Sequence, residues 1–99
     1  MSNIVKSFVE LIGDTPLLAA TRFGESRKSG ANIFAKLEYF NPGGSVKDRI
    51  AVAIIQAAVA SGELQPGGTI VEATSGNTGI GLSAVGASLG YKVVIVMPE

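Results

Sequence analysis

The sequence has no cysteine and no histidine. Without cysteine there is no disulfide framework, and neither thiolate nor zinc–thiolate chemistry. Without histidine, the commonest general base and metal ligand is gone. Chemistry therefore falls to Lys, Asp or Glu, Ser or Thr, and Tyr. Charge is scarce as well: charged residues are 16% of the 99, against 46% hydrophobic, and eight basic side chains balance eight acidic ones. A net charge of zero gives no electrostatic footprint for nucleic acid or an anionic membrane. From Ile50 to Pro98 only Glu63, Glu72 and Lys92 are charged, which suits buried elements better than the surface of a free-standing small domain. No apolar run approaches the roughly 20 residues that span a bilayer. "MSNIVKSFVELIGD" lacks the basic start and apolar core of a signal peptide. The expectation is a soluble cytoplasmic chain, one small domain or a piece of a larger one, with no nucleic-acid, membrane or metal partner.

What is present divides readily. "SFVELIG" reads as a short helical turn with Phe8, Leu11 and Ile12 on one side and Gly13 ending it. "TPLLAAT" is a short strand, and "TRFGESRKSGAN" a polar loop. "NIFAKLEYF" alternates, setting Phe34, Lys36, Glu38 and Phe40 opposite Ile33, Ala35, Leu37 and Tyr39, and reads as a strand with Lys36 and Glu38 paired on one face. Ser45 is placed as the N-cap of a helix, with Asp48 as the acid of a capping box. Val46, Ile50, Ile54, Ala57 and Ala58 recur at helical spacing, and Gly62 closes that helix. "TIVEA" is a strand, "TSGNTG" a tight loop, "IGLSAVGASLG" a small-residue helix, and "KVVIVMP" a strand of the kind buried in a parallel sheet. From Ile33 onward the order is β-α-β-α-β, which predicts an α/β fold with parallel strands.

Ligands of open α/β sheets bind beyond the carboxyl ends of the strands. Two loops, "NPGGSVKD" and "TSGNTG", hold that position, each leading into a helix and each suited to an anion. Thr74, Ser75, Asn77 and Thr78 offer short polar side chains, with Gly76 and Gly79 permitting close approach. The plain alternative is a tight turn in which Asn77 or Thr78 caps the helix. A P-loop fails, because Gly79 is followed by Ile80 rather than lysine. Gly79 to Ala84 fits G-x-G-x-x-A with Glu99 about 20 residues on, so a dinucleotide-binding module stays open, although "TSGNT" displaces the first glycine into the helix. Lys47 stands in a first helical turn, where a cation is unfavourable by roughly 0.3–1 kcal/mol. A surface lysine is the ordinary reading; the other is an amine disfavoured as ammonium and so suited to Schiff-base chemistry. Lys36 is the rival, more simply explained as an ion pair.

"NPGGSVKDR" followed by "EATSGNTGIGLS", together with "LIGDTPLL" and "IFAKLEYFNP", resembles the cysteine synthase (O-acetylserine sulfhydrylase) family of fold-type II pyridoxal-phosphate enzymes, whose fold is like that of tryptophan synthase β. The resemblance implies that Lys47 is the Schiff-base lysine and later moves the substrate's Cα proton. It implies that Asn77 bonds the cofactor's ring oxygen and that Thr74, Ser75, Gly76, Asn77 and Thr78 take the substrate's α-carboxylate. The implied cofactor is pyridoxal 5'-phosphate. The implied reaction is β-replacement, giving L-cysteine from O-acetyl-L-serine and sulfide.

A homodimer is implied too, with serine acetyltransferase as a regulatory partner. Residues 1–45 would belong to the larger domain of the parent enzyme and 46–99 would begin the smaller, mobile one. The family's phosphate-binding loop and its serine facing the pyridine nitrogen have no counterpart here; "PGGT" at 66–69 is a turn before a strand. An N-terminal fragment, inactive alone and unable to hold the cofactor tightly, is the expectation. Cystathionine β-synthase shares nearly the same two motifs, and serine or threonine dehydratases use a similar lysine and loop.

Overall fold

The structure, a computed structural model, describes residues 4–99; the first three residues of the N-terminal stretch lie outside the described residues. Its C-terminal half is built as the pattern predicts. Strand β3 (Thr69–Ala73), helix α3 (Asn77–Ser88) and strand β4 (Lys92–Val96) form a βαβ unit, in which β3 and β4 pair in parallel from Thr69 opposite Lys92 to Ala73 opposite Val96. Helix α2 (Lys47–Ser61) packs on α3 and ends at Gly62, whose φ of 83° is the left-handed cap that glycine adopts without strain. Ala51, Ile55, Leu82 and Val85 are the buried core, flanked by Val52, Leu64, Ile70 and Tyr91.

The buried stripe of α2 is not the expected one. Asp48, Ala51 and Ile55 face inward, while Val46, Ile50 and Ile54 remain 42%, 38% and 44% exposed. Apolar residues surround this helix, so periodicity finds two stripes, and the fit of Ala51 and Ile55 to Leu82 and Val85 selects one. Strand β4 also departs from expectation. Val93 and Ile95 are half-buried beneath α3, whereas Val94 and Val96 are exposed. Two strands offer two faces, and the helices cover one.

The N-terminal half differs more. Residues Phe8–Leu11 form a 3-10 turn, capped where Ser7 Oγ accepts the Val9 N–H at 3.2 Å. Phe8, Val9 and Ile12 pack on the core; Leu11, expected among them, is exposed because the tighter turn puts Val9 in its place. Strand β1 (Leu17–Ala19) pairs antiparallel with β2 (Phe34–Lys36), so β2 joins a separate two-stranded sheet and the parallel order holds only for β3 and β4. The supposed loop contains helix α1 (Thr21–Ser26). One glycine and one serine weaken its propensity, but pairing of the flanking strands forces a compact return, and Gly24 lets Ala31 and Ile33 pack against it. β2 ends at Lys36: Leu37, at φ −87° and ψ 74°, breaks the extended chain, and Glu38–Phe40 turn as a 3-10 segment. The radius of gyration is 17.3 Å, against about 13 Å for a compact chain of this length, because the β1–α1–β2 arm stands away from the core.

Candidate active site

Lys47 is the first residue of α2. Its N–H donates to Ser45 Oγ at 3.1 Å, and the Asp48 N–H donates to the Ser45 carbonyl at 3.3 Å. Ser45 thus serves the first turn, although Val46 occupies the cap position. Asp48 departs from the capping-box role. Its Oδ2 accepts the Gly43 N–H at 2.6 Å, so the acid reaches back five residues and ties down the "NPGG" loop. Asp48 is fully buried, and its Oδ1 has no hydrogen-bond partner among the described residues.

Arg49 is anchored on another side. Its Nε meets Glu38 Oε1 at 2.6 Å and its Nη2 meets Glu38 Oε2 at 3.2 Å. The same carboxylate accepts the Thr15 hydroxyl at 2.6 Å and Asn41 Nδ2 at 3.2 Å, while Asn41 Oδ1 accepts the Gly13 N–H at 2.8 Å. The Arg49 hydrogen bonds, then that of Thr15, hold Glu38 down to about 2 against partial desolvation; Glu38 in turn raises Arg49. The expected Lys36–Glu38 pair is not formed. Lys36 Nζ donates to the Thr15 carbonyl instead, because β2 ends before Glu38 and turns it toward α2. Sequence reasoning missed Thr15, Glu38, Asn41 and Arg49 as a group; Glu38 and Arg49 flank "NPGG", which Asn41 opens, but nothing along the chain links Thr15 to them.

The second loop continues the sheet as far as Thr74, whose N–H donates to the Val96 carbonyl at 3.1 Å. Helix α3 then begins at Asn77 behind Gly76, at φ −125° and ψ −147°, with no side-chain cap. Neither Asn77 nor Thr78 caps the helix, which leaves its first-turn N–H groups free of a capping side chain. Thr74, Ser75 and Gly76 line a cavity of about 510 Å³ with Ile80, Ser83 and Met97; Asn77, Thr78 and Lys47 are not part of that wall. A Cβ at Gly76 would meet nothing within 4 Å, so the loop is open at its centre. Among the described residues no cluster of acidic residues could hold a metal ion, and no helix is long and apolar enough to cross a membrane.

The glycines of the G-x-G-x-x-A match are used in packing. A Cβ at Gly79 would stand 2.9 Å from Thr74 Cγ2, and one at Gly81 3.0 Å from the Lys47 carbonyl oxygen. Both are buried inside α3, where they cannot cradle a pyrophosphate, so the dinucleotide reading loses its support. Gly81 lets the Lys47 end of α2 lie close against the first turns of α3.

The chain matches the family model described as pyridoxal-phosphate dependent enzyme over residues 9–99. It is 54% identical over 97 residues to cysteine synthase 1 of Emericella nidulans, covering 98% of this chain and 26% of that protein. It is 48% identical over 97 residues to cystathionine beta-synthase of Oryctolagus cuniculus, covering 98% of this chain and 18% of that one. Among solved structures, O-ureido-L-serine synthase superposes with a TM-score of 0.85 at 46% identity, covering 95% of this chain and 29% of that one. The chain thus spans about a quarter of the length of such relatives.

Proposed function

The chain belongs to the pyridoxal-phosphate dependent enzyme family, and we propose that it carries the lysine and the carboxylate loop of an enzyme that makes L-cysteine from O-acetyl-L-serine and sulfide. The observation that supports this reading is the close approach of the two helix starts, where a Cβ added at Gly81 of α3 would stand 3.0 Å from the Lys47 carbonyl oxygen and the loop before α3 is open at Gly76. That donor set fits the cofactor and its substrate. Lys47 Nζ would hold the cofactor covalently, and Asn77 would bond its ring oxygen. Thr74, Ser75, Gly76, Asn77 and Thr78 would hold the substrate's α-carboxylate through hydroxyls and first-turn N–H groups, where the helix dipole favours an anion.

When bound, pyridoxal phosphate supplies an electron sink for the negative charge left at Cα. Once the substrate's amine has displaced it from the cofactor, Lys47 Nζ would take the proton from Cα; acetate would leave Cβ with the bonding electron pair, sulfide would add at Cβ, and Lys47 would return the proton to Cα. The carboxylate loop fixes the Cα–H bond within reach of the amine.

Residues 1–45 as part of a larger domain, residues 46–99 as the start of a smaller mobile one, a homodimer, docking of serine acetyltransferase and a cytoplasmic location belong to the same proposal. Treatment with pyridoxal phosphate and borohydride should label Lys47 over Lys6, Lys28, Lys36 and Lys92. Even labelling of all five, or of none, would show that these two loops do not build a reactive site by themselves and would remove the geometric support for Lys47. The 48% identity to cystathionine beta-synthase supports a second reading, a related lyase or a dehydratase of the serine and threonine type. Acetate release dependent on sulfide supports the first; deamination of serine or threonine supports the second.

A further inference from the structure

Lys47 is followed at once by two residues whose side chains are fixed by distant parts of the chain. Asp48 holds the Gly43 N–H at 2.6 Å. Arg49 is held by Glu38 through two nitrogens, at 2.6 and 3.2 Å, and its Nη2 also lies 3.3 Å from Thr15 Oγ1. We propose that Glu38 is a positioning residue for Lys47, acting through Arg49 to fix the rotation of the first turn of α2; the proposal rests on Lys47 being the reactive lysine.

The geometry favours this role over a surface ion pair. Glu38 receives four donors from three residues, which saturates both carboxylate oxygens. Those donors come from segments that the first turn of α2 must be aligned with. Thr15 is buried and follows the left-handed corner of Gly13 and Asp14, at φ 90° and 48°; Asn41 is buried and opens the "NPGG" loop. Successive helical residues rotate by about 100°, so a guanidinium fixed at 49 directs the side chain at 47 about 200° away from the network. On another side, α3 approaches so closely at Gly81 that an added Cβ would stand 3.0 Å from the Lys47 carbonyl oxygen. The turn is thereby held between Glu38 and α3. A bidentate arginine–carboxylate pair defines direction as well as attraction, which a lysine in place of Arg49 would not.

The test is made on the full chain in excess pyridoxal phosphate, which does not require tight binding, reading the rate at which borohydride fixes the label at each lysine. Lys28 and Lys92, which the network does not touch, serve as internal references. Glu38→Gln is expected to slow labelling at Lys47 by about tenfold relative to them, as a small misplacement of a reacting group does. Arg49→Lys should do the same. Thr15→Val should give a smaller loss, with Thr15→Ser restoring the normal rate. Should Glu38→Gln fail to fold, the Thr15 pair decides. An unchanged Lys47 rate in Glu38→Gln and Thr15→Val overturns the proposal. Absence of selective Lys47 labelling in the unaltered protein overturns the premise that these loops form a reactive site instead, so the two failures are distinguishable.

Discussion

Gly43 and Asp48 fit each other with no room to spare. The Gly43 N–H donates to Asp48 Oδ2 at 2.6 Å, and a Cβ at 43 would stand 2.2 Å from Asp48 Oδ1. Gly43 is not among the glycines with positive φ, so its backbone would tolerate alanine and the carboxylate alone forbids it. Gly43→Ala should therefore force the buried Asp48 side chain out of place and cost about 1–3 kcal/mol, the range for overpacking. Urea unfolding measures this, and a variant as stable as the parent would contradict the contact.

The glycines of α3 separate packing from ligand binding. At Gly81 a Cβ would lie 3.0 Å from the Lys47 carbonyl oxygen, 3.2 Å from its carbon and 3.3 Å from Ala51 Cβ. Alanine is favoured over glycine in a helix by roughly 1 kcal/mol. Gly81→Ala should nevertheless lower the thermal midpoint, since two backbones would have to separate. Gly86→Ala, 2.5 Å from Val93 Cγ2, should do so as well.

Gly76→Ala should behave in the opposite way. Nothing lies within 4 Å of its Cβ position, and φ of −125° suits any residue. Unfolding should be unchanged within about 0.5 kcal/mol, while, on the proposed carboxylate-binding role of the loop, affinity for an amino-acid carboxylate falls because a methyl enters it. Calorimetric titration with O-acetyl-L-serine would show the difference.

Leu82 is fully buried between α2 and α3. Leu82→Ala should cost about 2–5 kcal/mol through lost transfer energy and the cavity left behind. A loss below about 1 kcal/mol in denaturant would mean that the two helices are not packed as described.

Glu38 sets an acid limit. Its carboxyl is held at about 2 in the fold, against an ordinary 4.5. The unfolded chain takes up this proton more readily than the folded one, so ionised Glu38 favours folding above pH 4.5. That contribution shrinks as pH falls below 4.5 and is gone near pH 2. Thermal midpoints followed through this window should fall less in Glu38→Gln than in the parent.

The sequence by itself determined the βαβ unit, the start and end of α2 near Lys47 and Gly62, and the family, because these rest on local rules. A β-branched run, a left-handed glycine and two long motifs are complete within a few residues. Tertiary structure decided the rest. Which apolar stripe of α2 is buried depended on Leu82 and Val85, and β2 joined β1 rather than β3 by a pairing that alternation does not encode. Helix α1 formed where propensity is poor because strand closure required it. The partners of Glu38 and Asp48 lie at Thr15, Asn41, Arg49 and Gly43, and a carboxylate's choice of donor depends on distance in space, which spacing along the chain does not fix.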